Sequence, residues 1–156
     1  MEARRNLLGL EHPETLSSTA LVGLVHKLNG RYKEAEELQV QVTETGKRLL
    51  GSDHPSALTS VRNLASTYRN QGRWKEAEEQ EVKVVETSKA VLGSDHPDTL
   101  ASMASLASTY WNQGRWSEAN QLQVQVVEVS KKVLGPEHPD TLANEASLAM
   151  TYGSQG

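Results

Sequence analysis

Four histidines, His12, His54, His96 and His138, stand 42 residues apart, and each directly precedes a proline. Four imidazoles could fill a tetrahedral zinc site. Zinc needs nitrogens at ~2.0–2.1 Å, whereas equivalent atoms in stacked helical layers lie on the order of 10 Å apart. The histidines are therefore expected to cap helices rather than gather around a metal. His26 stands outside this series and is read as a packing variant.

Other reactive side chains fare no better as a site. Ser66, Thr67 and Ser108 recur at repeated positions but sit in no GxSxG elbow. Glu36-Glu37 and Glu78-Glu79 are expected on the surface at helix starts rather than as an acid/base pair. There is no cysteine and no GxxxxGK[ST] phosphate loop. Catalytic residues, metal ligands and cofactors are therefore all expected to be none, because a reaction needs a site and none is visible.

With 156 residues and a formal net charge of −4, the chain suits one domain or one repeat array and offers no basic stripe for nucleic acid. No apolar run approaches the ~20 residues needed to cross a bilayer, and no secretory signal opens the sequence. Neither nucleic acid nor membrane is an expected partner, and a cytoplasmic location is expected. Phenylalanine is absent, so Ala, Leu and Val must fill the interior, which suits thin layers of packed helices.

What must position these residues is a repeat. Leu64–Trp74 reads LASTYRNQGRW and Leu106–Trp116 reads LASTYWNQGRW, with Trp111 in place of Arg69. Gly51–Leu92 and Gly93–Leu134 share 27 of 42 letters, too many for coincidence. A period of this length marks a tandem array.

Each period predicts two helices. Pro after His presets the first helical turn. Leu58, Val61, Leu64, Ala65 and Tyr68 then recur at helical spacing, and Gln71-Gly72 ends the helix. A second helix starts at Arg73-Trp74, close enough to force an antiparallel hairpin. In the next repeat its buried stripe is predicted as Trp116, Ala119, Leu122, Val126, Val129 and Val133. Trp74 and Trp116 are expected in the core. The resulting fold class is all-α, a right-handed superhelical solenoid of antiparallel helix pairs.

The expected boundaries are 1–8 for the tail of a preceding second helix, then 9–50, 51–92 and 93–134 for three repeats. Residues 135–156 would supply the first helix of a fourth, with Gly156 closing the register. Both ends fall inside repeats, as in a piece of a longer array.

The phrase NLAxxYxxQGRWxEAE at Asn63–Glu78 resembles a tetratricopeptide repeat, with Leu64, Ala65, Tyr68, Gly72 and Ala77 at that family's packing positions. The 42-residue period with its LGxxHPxTL linker is similar to the subtype of kinesin light chains. The NQGRWxEAE wording is similar to arrays at the C-terminus of fungal NB-ARC, NLR-like proteins. His26 in place of Tyr and Gly23 in place of Ala make the first repeat depart from the pattern.

The resemblance implies a binding scaffold with a concave groove and no catalysis. It places Arg62, Asn63, Ser66, Arg69 and Asn70, then Ser105, Ser108, Trp111 and Asn112, on the inner face of the first helices, with Lys27 equivalent to Arg69 and Trp111. Ala20 and Ala104 stand where a carboxylate clamp would need a cation, so no such clamp is expected. Trp111 either contacts a partner or covers a neighbouring helix. The expected partner is a protein or peptide, or another domain of the same parent chain, with self-association through the array ends as an alternative. The parent is expected to be an NLR-like signalling ATPase, or alternatively a kinesin-light-chain cargo adaptor.

Overall fold

Each His-Pro pair begins a helix. His12, His54 and His96 hold extended backbone (φ about −70°, ψ about 136°), and each Nδ1 accepts the backbone N–H two residues on, at 3.3, 3.2 and 3.1 Å. His138 does the same for Asp140 at 3.2 Å. The imidazole thus satisfies one of the amide donors that a helix start leaves open.

The computed structural model describes Gly9 and residues 11–153. Its helices are α1 (Pro13–Leu28), α2 (Tyr32–Leu50), α3 (Pro55–Asn70), α4 (Trp74–Val91), α5 (Pro97–Asn112), α6 (Trp116–Val133) and α7 (Pro139–Gly153). Among the described residues there is no strand, so the all-α class expected from the sequence is the one observed. The expected helix tail over 1–8 and the register position Gly156 lie outside the described residues.

Two compact units divide the chain, Met1–Ala77 and Glu78–Gly156, with the cut inside α4. In the first, α1 packs on α2 and α2 on α3. Three residues join α1 to α2, so the pair runs antiparallel. Gly72 closes α3 at φ +72°, a left-handed conformation that a side chain would strain. Ala35, Ala57, Ala65 and Ala77 are wholly buried, which lets helix backbones approach closely. Gly23 takes this further, because a methyl there would stand 3.3 Å from Gln39 Cγ.

In the second unit, α5 packs on α6 and α6 on α7. Val85 from α4, Leu100, Met103 and Leu106 from α5, and Val126 from α6 form its buried apolar cluster. The predicted stripe of α6 is partly wrong. Ala119 and Val126 are buried and Leu122 and Val129 half-buried, but Trp116 and Val133 are each 44% exposed. Gln123, Val127 and Ser130 are buried instead. The helix is rotated toward α7, where two of its buried polar side chains find partners: Gln123 Nε2 donates to the Asn144 carbonyl at 3.0 Å, and Asn144 Nδ2 donates to Ser130 Oγ at 3.2 Å. Trp116 is therefore not a core residue, and Trp74 is half-buried.

Candidate binding surfaces

The repeated turn does more than reverse the chain. In the first unit Arg73 Nη1 reaches both carboxylate oxygens of Glu36, at 2.8 and 2.7 Å. Gln71 Nε2 donates to Glu36 Oε2 at 2.9 Å, and Arg73 also holds Glu76 and the Gln71 oxygen. The guanidinium lies 4.4 Å from the centre of the Tyr68 ring, a cation–π geometry. Glu76 and Glu36 hold Arg73 above its usual pKa, while burial and then Glu36 raise the Tyr68 phenol.

The second unit repeats this clasp. Arg115 Nη1 holds Glu78 Oε1 at 2.6 Å, Gln113 Nε2 donates to Glu78 Oε2 at 2.9 Å, and the guanidinium lies 4.1 Å from the Tyr110 ring centre. Burial acts to raise the Glu78 pKa, but hydrogen bonds from Arg115 and Gln113 outweigh it, and the net shift is downward. Glu36 and Glu78 are thus joints between successive hairpins rather than plain surface residues. The sequence carried the signal, because Glu36, Gln71 and Arg73 recur 42 residues on as Glu78, Gln113 and Arg115.

Below each clasp lies a buried link. Thr67 donates to Gln39 Oε1 at 2.6 Å, and Thr109 donates to Glu81 Oε2 at 2.5 Å. Between clasps and links, the faces left to vary are those carrying the residues picked from the sequence.

Lys27, Arg62, Asn63, Ser66, Arg69 and Asn70 lie in the first unit. Lys27 Nζ donates to Ser66 Oγ at 3.2 Å, so α1 and α3 meet along this face. Burial and then the charge of Arg69 lower the Lys27 pKa. Arg62, Asn63, Ser66 and Arg69 are half-buried, and Asn70 is exposed. Asn63 stands at the edge of a cavity of about 390 Å³ between Leu16, Val42, Leu50 and Thr59, where Gly46 leaves room that Ser88 and Ser130 occupy at equivalent positions.

Ser105, Ser108, Trp111 and Asn112 lie in the second unit. Trp111 is 39% exposed and walls a cavity of about 180 Å³ with Ser108 and Asn112. Ser108 Oγ donates to the Ala104 carbonyl at 3.1 Å, and Asn112 Nδ2 to the Ser108 carbonyl at 2.7 Å. The Ser108 hydroxyl hydrogen and one amide hydrogen of Asn112 are thus turned back onto α5, and Ser105 stays half-buried beside them. Where the first unit has Arg62 and Arg69, this one has Ala104 and Trp111. Among the described residues no three His, Asp or Glu side chains come together as a metal site, and no helix is long and apolar enough to cross a membrane.

Comparison with known proteins follows the same architecture. Two tetratricopeptide repeat models match, one over residues 16–89 and one over 99–140. A crystal structure of a Podosopora anserina protein assigned as a kinesin light chain, with nearly identical TPR-like repeats, superposes with a TM-score of 0.85 at 39% identity. It aligns with 94% of this chain and 69% of its own. A single-substitution variant of that protein gives 0.86 at 37% identity, over 99% and 73%. BtubC (BKLC) from P. vanneervenii shares the fold at 16% identity, with a TM-score of 0.82 over 91% of this chain and 57% of its own. No curated protein matches. The helix pairs, the turn glycines and these matches agree: the chain belongs to the tetratricopeptide repeat family.

Proposed function

We propose that this chain is a binding scaffold that holds a protein or peptide partner on the exposed faces of its first helices, with no catalytic role. The observation that carries this reading is Trp111. Tyr68 and Gln71 of one repeat recur as Tyr110 and Gln113 in the next, yet between them Arg69 gives way to Trp111, and the first repeat has Lys27 at this position. A large aromatic left 39% exposed where packing imposes no residue type is the kind of side chain that anchors interfaces. In the fuller reading the array is the C-terminal sensor of an NLR-like cytoplasmic signalling ATPase. A kinesin-light-chain cargo adaptor is the alternative, favoured by the names given to the Podosopora anserina proteins.

The test compares Trp111→Ala with wild type in capture of partners by the full-length parent. Loss of the partner with an unchanged melting temperature is expected. Unchanged capture would refute the surface. The parent sequence separates the two readings, since an upstream phosphate loop marks the ATPase and a long heptad coiled coil marks the adaptor.

A second reading, self-association, has one observation of its own. Leu21, Leu24, Val25 and Leu28 are exposed on α1 where α3 has Asn63, Ser66, Thr67 and Asn70. Light scattering on Leu24→Asp decides it: a monomer in both wild type and variant removes this reading.

A further inference from the structure

The cavity beside Trp111 marks a break in the repeat. Thr67 and Thr109 each donate to the side-chain oxygen of the residue 28 positions earlier, Gln39 or Glu81. Thr151 is their counterpart, and Gln123 is the side chain it should reach. Instead Thr151 Oγ1 donates to the carbonyls of Ser147 and Leu148, at 2.8 and 3.0 Å. Gln123 uses one N–H on the Asn144 carbonyl. Its Oε1 therefore receives no hydrogen bond among the described residues, although the side chain is only 5% exposed and lines the cavity. An acceptor left open on a cavity wall is available to a donor that enters.

The rest of the lining narrows what that something is. Ala107, Ala119, Trp111 and Met150 form apolar walls, and no ionisable side chain is among the described lining residues. A charged group entering would be desolvated without a counter-charge. Ser108, Asn112, Ser147 and Thr151 have all directed a hydrogen at backbone carbonyls of their own helices. The hydroxyl hydrogens of Ser108, Ser147 and Thr151 are thus taken, and Gln123 Oε1 is the open acceptor to which a bound donor can bond. Its volume of about 180 Å³ suits a benzene-sized ring, which an apolar cavity of roughly 150 Å³ accepts.

We propose that this cavity is an anchor pocket for a neutral phenol, the side chain of a tyrosine in an extended segment of the partner, with the phenolic O–H donating to Gln123 Oε1 and the ring against Trp111. This assignment rests on the scaffold reading above and adds the chemistry of the contact.

The test is a nuclear magnetic resonance titration of the 156-residue chain with p-cresol, toluene and 4-hydroxybenzoate, followed at the Trp111 indole N–H and the Gln123 amide. Saturable p-cresol binding is expected, with toluene weaker by roughly threefold to tenfold, the size of one neutral hydrogen bond. The anionic 4-hydroxybenzoate should not bind. Gln123→Met should erase the preference of p-cresol over toluene while both still bind. Trp111→Ala, at the rim, should weaken both and keeps the test valid if the Gln123 variant does not fold. Equal binding of p-cresol and toluene, or saturation that leaves Trp111 unmoved, overturns the assignment.

An uncharged peptide, acetyl-Gly-Ser-Tyr-Ser-Gly-amide, supplies the last arm and should compete with p-cresol. If p-cresol binds as described and the peptide does not compete, the pocket takes a free phenol and the tyrosine assignment fails. If a partner is captured through Trp111 while p-cresol neither binds nor competes, the pocket fails and the scaffold reading survives.

Discussion

Arg73 Nη1 holds both carboxylate oxygens of Glu36, a residue 37 positions earlier, at 2.8 and 2.7 Å. The contact joins the turn of one repeat to the second helix of the repeat before it. Gln71 reinforces it on the same carboxylate, and the Tyr68 ring supports the guanidinium from behind. The QGR letters thus serve both the turn and the joint between neighbours.

The clasp is partly exposed, so its worth is modest. In a double-mutant cycle, Glu36→Ala and Arg73→Ala should show a coupling of roughly 0.5–1 kcal/mol in chemical denaturation. Arg73→Lys should recover little of it, because an ammonium cannot reproduce the planar fork or its stacking on Tyr68. Additive single mutants would mean that the contact contributes nothing.

Acid should loosen the second unit through Glu78. Its folded pKa is depressed on balance, so its contribution is present above the unfolded carboxyl value of ~4.3. It is lost as pH falls through the lower folded value. Melting temperature should decline below about pH 4.3, and Glu78→Gln should flatten part of that slope. An unchanged slope in the variant would assign acid sensitivity elsewhere.

Two glycines should respond to alanine with opposite signs. Gly46 is buried inside α2, and an added methyl meets nothing within 4 Å. Gly46→Ala should raise stability by about 0.5–1 kcal/mol through helix propensity. Gly72 holds φ +72°, and Gly72→Ala should lower stability by roughly 1 kcal/mol. Thermal melts of the two variants moving in the same direction would contradict this assignment.

Ala77 has 0% exposure. Ala77→Glu should destabilise the chain by about 3 kcal/mol or more, since it both overfills the site and buries a charge without a partner. Circular dichroism at rising temperature reads this directly, and an unchanged melt would require a different packing of α4.

Much of the fold is legible in the letters because its determinants are local. His-Pro starts, Gly ends and three-residue turns each involve neighbours in sequence, and the structure forms helices where they predict. Periodicity is a poorer guide to rotation. It places Trp116 and Val133 inside because they are apolar, whereas Gln123 and Ser130 take the buried positions toward α7. Counting apolar letters cannot register buried polar residues that are held by hydrogen bonds. The clasp escapes for a related reason: its residues are charged, read as surface, and lie 35 and 37 positions apart. Trp111 stands out by its difference from Arg69, but the open Gln123 acceptor behind it depends on which way Thr151 turns its hydroxyl. No sequence pattern reports that.

The two halves of the clasp belong to different repeats, the carboxylate to one and the Gln-Gly-Arg to the next. A tandem duplication by whole 42-residue units, wherever its breakpoints fall, therefore restores a carboxylate facing a Gln-Gly-Arg. Copy number can drift by unequal recombination without redesign of any interface, and new surface letters such as Trp111 can spread or vanish with the copies that carry them. Asn120 is the exception. It occupies the position of Glu36 and Glu78, and its buried Oδ1 accepts no hydrogen bond among the described residues. A copy inserted after it would meet an amide in place of a carboxylate, and that junction would hold less firmly than the two before it.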